Sequence, residues 1–179
     1  MANDFVTDGK IGIDLTAVYA STSAGSVSLM PAQPGARVTS NNNGTYVFAR
    51  CASDTNQYDC VIFGPYGDSA SLTPTQSFVP ITTTNAAAQG WNMIGICQNS
   101  VASSYYTWVA INGMNLRVNA LIACNPKVLL YTTATAGKLD DTTVSAGVVM
   151  GVVLNTSATS ASAPYCNANW PHVAVNGAG

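Results

Sequence analysis

The side chains able to carry chemistry in this 179-residue chain are few, and their spacing gathers no reacting set. Its single histidine, His172, sits in Asn-Trp-Pro-His-Val. One imidazole can act as the base for a serine nucleophile, but only with an orienting partner and the nucleophile in hydrogen-bond reach. Asn169 stands three residues before it, and nothing nearby supplies a carboxylate. A surface histidine on a terminal strand is the plainer reading. Asp140-Asp141 is the one adjacent pair of carboxylates. Two acids can divide general acid and base work, yet neighbours on an extended chain point to opposite faces. Lys138 lies two residues earlier, so a solvated turn over 136–143 accounts for the pair. Asp4, Asp8 and Asp14 lack the spacing of a calcium loop.

Five cysteines stand at Cys51, Cys60, Cys97, Cys124 and Cys166, with no C-x-x-C spacing to suggest zinc. Cys97 and Cys124 end apolar runs, where a thiol serves as a small core residue. Cys51 and Cys60 flank a polar loop over 53–58 and could approach one another across it; two free thiols is the favoured reading. Gly67-Asp68-Ser69 resembles the opening of one lipase family, but the late base and the helices of that fold are missing, so a polar turn is expected. Asn43-Gly44-Thr45 and Asn155-Thr156-Ser157 read as polar turns as well. Trp91, Tyr105, Tyr106, Trp108 and Tyr131 could stack on sugar rings, although most aromatics of a β protein are core. No catalytic residue, metal site or cofactor is expected.

The surrounding composition explains this poverty. Six basic and eight acidic residues make up all the charge, none of them Glu, and the net charge is −2. An ordinary soluble domain is about a quarter charged. Six scattered cations cannot build a phosphate-binding face, which argues against nucleic acid. No apolar run approaches the roughly 20 residues that cross a bilayer, and the first residues lack a basic and an apolar region, so no membrane, no signal peptide and cytosolic synthesis are expected. Ser, Thr and Asn replace charge, and these groups cost far less to take out of water than carboxylates or ammonium groups. Such a surface suits burial against other subunits.

Helix formers are scarce, whereas Thr, Val and Tyr abound. Short apolar or alternating runs fall at 46–52, 58–63, 91–97, 105–111, 116–123, 128–132 and 148–154, with weaker ones at 11–15, 27–30, 78–82 and 173–175. Turn residues between them predict an all-β fold, a single β-barrel or jelly-roll-like sandwich. The one helix-tolerant stretch, 85–89, is too short to stand alone. Asn112-Gly113 between two alternating runs predicts a tight hairpin. The run over 105–111 is apolar or aromatic on both faces and should be covered on both. Residues 1–34, broken by Gly, Ser and Pro, read as an N-terminal arm that either returns to the domain or lies on a partner; residues 35–179 form the domain. The arm's apolar residues Phe5, Ile11, Ile13, Leu15 and Tyr19 are the candidate partner interface.

Gly35-Ala-Arg-Val38 followed by Gly44-Thr-Tyr-Val-Phe-Ala-Arg50 resembles a family of tailed-phage virion proteins. The likeness continues in Tyr106-Thr-Trp-Val-Ala-Ile-Asn-Gly113, in Val128-Leu-Leu-Tyr-Thr-Thr-Ala-Thr-Ala-Gly-Lys-Leu-Asp-Asp141, in Met150-Gly-Val-Val-Leu154 and in the closing stretch from Ala163-Pro164 to Trp170-Pro171. The family is the small head decoration, or cement, proteins. It implies a barrel or jelly-roll subunit on the outer capsid, made in the host cytoplasm, which bridges copies of the major capsid protein. It also implies self-association as dimers or trimers and no active site. The segment before Gly35 and the five cysteines depart from the family pattern. A tail or fibre module with receptor-binding aromatics is the alternative.

Overall fold

The computed structural model describes residues 13–20, 30–64, 77–88, 93–142, 147–159 and 163–174. They form β1 (Val18–Tyr19), β2 (Arg37–Thr39), β3 (Thr45–Cys51), β4 (Cys60–Phe63), β5 (Ser77–Pro80), α1 (Thr83–Ala88), β6 (Ile94–Cys97), β7 (Tyr106–Arg117), β8 (Leu130–Thr132), β9 (Leu139–Asp140), β10 (Val148–Leu154) and β11 (Tyr165–Ala174). All the strands join one mixed sheet in the order β2-β3-β5-β4-β6-β7-β11-β10-β8-β9, with β1 paired to β7. The all-β class holds. Helix α1 is a single capped turn and a half: Asn85 N–H donates to Thr82 Oγ1 at 3.1 Å and Thr82 N–H donates to Asn85 Oδ1 at 2.8 Å.

Five of the pairings return on themselves. β3 runs parallel to β5, β5 pairs with β4, β4 with β6, β6 with β7, and β7 again with β3. Side chains on such strands alternate between the enclosed and the outward face. Val47, Ala49, Cys51, Val61, Phe63, Phe78, Cys97, Val109 and Ile111 form one cluster. Their neighbours Tyr46, Phe48, Cys60, Ile62, Ile94, Ile96, Trp108 and Ala110 belong to a second, larger one. The enclosed space is tight: a Cβ on Gly95 would lie 2.6 Å from Val109 Cγ1 and 2.9 Å from the Ala110 carbonyl oxygen. Residues 107–111 are fully buried, as their two apolar faces predict.

The larger cluster is closed from outside by β8, β10 and β11, which contribute Leu130, Val149, Val152, Leu154, Cys166, Ala168 and Val173. The arm closes it too. Ile13 and Leu15 are buried in it, Tyr19 packs edge-on to Phe48 at 5.6 Å, and Thr107 Oγ1 donates to the Ala17 carbonyl at 3.1 Å. Ile13 and Leu15 are therefore spent on the subunit's own core and not presented to a partner, while Tyr19 is half-buried against that core; Phe5 and Ile11 lie outside the described residues. The described part of the arm takes the first of its two alternatives.

The hairpin expected at Asn112-Gly113 is absent, because β7 runs straight through both residues. Its first half pairs with β3 and its second half with β11, so long-range pairing on both sides overrides a local turn preference. The tight hairpin falls at Ser40–Gly44 instead, where Ser40 N–H donates to the Gly44 carbonyl at 2.8 Å and Asn43 takes φ +59°. The strand expected at 116–123 ends at Arg117. Cys51 and Cys60 lie in different clusters on opposite faces, and all five thiols are free.

Candidate docking surface

Strands β10 and β11 present one face to the core and one outward. Outward-facing residues meet in pairs: Val148 opposite Ala174, Met150 opposite His172, Val153 opposite Asn167. On the other side β8 sets Tyr131 against Val148 and Leu130 against Val149, with Leu129 just before the strand and Asp140 of β9 opposite Tyr131. Met93 bridges to His172 from the far edge. Leu129, Met150 and His172 are exposed on this side of the sheet, and Met93, beside His172, packs partly against the enclosed cluster. Leu129 is 58 % exposed and Met150 41 %. No Lys, Arg, Asp or Glu stands among these residues or at Tyr131, Val148, Val153 and Asn167.

A local irregularity shapes one end of this face. Met150 pairs with His172 and Val152 with Ala168, so Asn169, Trp170 and Pro171 all face the single residue Gly151. Bulges of this kind re-aim a side chain. Gly151 takes φ +80°, and a Cβ there would lie 2.5 Å from the Asn169 carbonyl oxygen. Trp170 takes φ +46°, uncommon for a bulky residue. Pro171 has no N–H to leave unpaired in the broken ladder. The outcome is an apolar groove of about 350 Å³ lined by Met93, Ile94, Ile111, Trp170, Pro171 and His172. The Arg37 guanidinium lies 5.3 Å from the Trp170 ring centroid and steadies it. At the other end of β11, Arg117 sits 4.8 Å over Tyr165 and 5.8 Å over Tyr58, and its Nη2 donates to the Tyr165 hydroxyl at 3.1 Å.

The reactive groups lie elsewhere and are engaged internally. Donor atoms of Cys124, Asp140 and Asp141 fall within 4.8 Å of one another. Asp141 Oδ2 accepts from the Asn125 N–H at 2.9 Å and from Asn125 Nδ2 at 2.8 Å, which holds its carboxyl below the usual range. Burial, with the two carboxylates adding, pushes the Cys124 thiol up to about 11, so at neutral pH it is a protonated and weak ligand. Burial likewise raises Cys97 and Cys166 to about 12. Asp59 is a buried carboxylate that ties three loops: its oxygens accept from the Asn56 N–H at 2.8 Å and from Asn119 Nδ2 at 2.9 Å, and Gly137 packs directly on it. Burial raises its carboxyl more than these donors and Lys138 lower it.

Of the aromatics that could meet sugars, Trp108 is fully buried and Tyr106 stacks on Phe48 at 5.8 Å; Tyr105 is exposed and Tyr131 half-buried. Trp91 and Ser69 lie outside the described residues. Among the described residues two further aromatics are exposed, Tyr165 and Trp170, on a strand that sequence reading placed only at its last few residues. No protein family, curated protein or solved structure matches this chain. Among the described residues no helix is long and apolar enough to cross a membrane.

Proposed function

We propose that this chain is a structural, non-enzymatic subunit of a tailed-phage particle, a head decoration protein that binds the major capsid protein on the outer shell. The observation that carries the reading is the uncharged outward side of β8, β10 and β11, a sheet face whose residues cost little to desolvate. The resemblance over residues 35–175 points the same way. The closed circuit of β3, β5, β4, β6 and β7 supports the barrel form of the fold that the resemblance implies. On a shell, many modest contacts add up through avidity, so a low-charge surface suffices for lasting attachment.

Adding the purified protein to expanded capsids that lack it and imaging occupancy by electron microscopy tests the reading. Regular density on the capsid surface and a higher temperature of capsid disruption are expected. Label confined to the tail would overturn it in favour of a tail or fibre module. That second reading draws on Trp170 and Tyr165, two exposed rings on β11 with the amides of Asn167 and Asn169 between them. Capsid attachment through the arm is tested by removing residues 1–12 alone, because Ile13, Leu15 and Tyr19 are needed for the core.

A further inference from the structure

We infer that the groove beside Trp170 receives an apolar side chain of a partner polypeptide whose neighbouring carboxylate is held by Arg37. The cavity of about 350 Å³ is lined by Met93, Ile94, Ile111, Trp170 and Pro171, with His172 the one titratable group among its walls. That is the small end of the roughly 300–1,000 Å³ of ligand pockets, room for one or two side chains. The recess is also a built feature. Three residues of β11 face Gly151, and Gly151 and Trp170 take φ of +80° and +46°. Residues kept in sparsely populated backbone conformations cluster where a surface clamps something.

Charge selects the occupant. The Arg37 guanidinium is exposed on β2 and lies 5.3 Å from the centroid of the indole that walls the groove. Stacking on a ring fixes the plane of a guanidinium and leaves its edge donors free for the two oxygens of one carboxylate. Among the described residues Arg37 has no ion pair or hydrogen bond, and no Asp or Glu stands on β2, on β11 or in the groove lining. An unneutralised cation beside an apolar recess favours a partner that brings a carboxylate and an apolar side chain together, and rejects a basic one. A free small molecule needs several placed polar groups to orient it, and this lining supplies only the His172 imidazole. A polypeptide needs fewer, because its flanking residues can lie across exposed Met150, opposite His172. The inference rests on the docking role proposed above and names what that face docks; its test needs no capsid.

The isotope-labelled full chain is titrated with the blocked peptide acetyl-Gly-Phe-Asp-Gly-amide and followed by NMR. Signals of the Trp170 indole N–H, His172 and Met93 should shift together. Replacing the peptide's Asp by Asn should weaken binding roughly three- to tenfold, and replacing its Phe by Ala at least roughly tenfold. Arg37→Gln should erase the preference for Asp over Asn, whereas Arg117→Gln, at the other end of β11, should preserve it. Should Arg37→Gln fail to fold, salt gives an independent readout on the unaltered protein: the Asp preference should fall as ionic strength rises. Equal binding of the Asp and Asn peptides, a preference that survives Arg37→Gln or ignores salt, or no shift of the groove signals at the highest soluble peptide concentration would each overturn the inference. So would binding of hydrocinnamate, a free apolar acid, where the peptide does not bind. Failure here leaves capsid decoration standing, and peptide binding by a chain that never decorates capsids overturns only the proposed function.

Discussion

The closed circuit of β3 to β7 and the flanking strands β8, β10 and β11 are written in the same residue types, yet they treat their second face differently. In the circuit each strand has neighbours on both edges and a cluster on both sides, so Thr107, Trp108, Val109, Ala110 and Ile111 are all dry. In the flank, Val149, Val152 and Leu154 face the core while Met150 and Val153 face outward. An apolar residue in the first region is core whichever way it points. In the second region, the same residue is core or contact surface according to parity. What decides between packing and recognition is therefore the neighbour on the far side, not the side chain.

Substitutions should separate the regions by size of effect. Trp108→Ala, at the centre of the aromatic group with Phe48 5.0 Å away, should cost about 3–5 kcal/mol in denaturant unfolding. Trp108→Phe should cost less, since the indole N–H is buried without an acceptor among the described residues. Gly95→Ala adds one methyl to the enclosed cluster and should cost about 1–3 kcal/mol, because Val109 and the Ala110 carbonyl already occupy the space. A negligible change there would mean that the circuit is looser than its pairings indicate.

Asp59→Asn tests the loops that lace the circuit to the flank. An amide cannot accept from both Asn56 and Asn119, so the variant should lose about 1–3 kcal/mol near neutral pH. The sign of the pH dependence is set by burial, which raises the folded carboxyl above its unfolded value. Its contribution is fully present below the ordinary Asp range and is lost as pH rises through the raised value. Thermal melts across that window should show the wild type losing this part of its stability while the variant does not. Smallest of all, Met150→Asp should shift the stability of the folded chain by no more than about 0.5 kcal/mol, because Met150 is exposed on β10. A large loss of stability would move Met150 from the contact surface into the core.

Much of the circuit was legible from residue pattern. The runs at 46–52, 58–63 and 91–97 overlap β3, β4 and β6, and the two-faced apolar stretch over 105–111 became the strand whose residues 107–111 are buried on both sides. Strand β11 was not legible over most of its length, because Asn167, Asn169 and Pro171 interrupt any alternation and the bulge shifts parity midway. Asn112-Gly113 misled for a related reason: its local preference is real, but β3 and β11 hold the backbone extended from both sides. The docking face could not be read at all from one strand. Met150 and His172 become neighbours only through register; Leu129, Met150 and Met93 each fall in an apolar run of their own, whereas His172 reads as a surface residue of a terminal strand. The arm's apolar pieces were visible in the sequence but not what they cover: Ile13 and Leu15 are buried in the subunit's own larger cluster, and Tyr19 packs on Phe48.

The double use of β7 has a consequence for biosynthesis. Its first half can pair as soon as it is made, since β3 has already left the ribosome. Its second half must wait for β11, roughly fifty residues later, with a bare strand edge in the meantime. Nascent chains that stall or terminate in that interval should therefore aggregate more readily than either the earlier fragment or the finished protein.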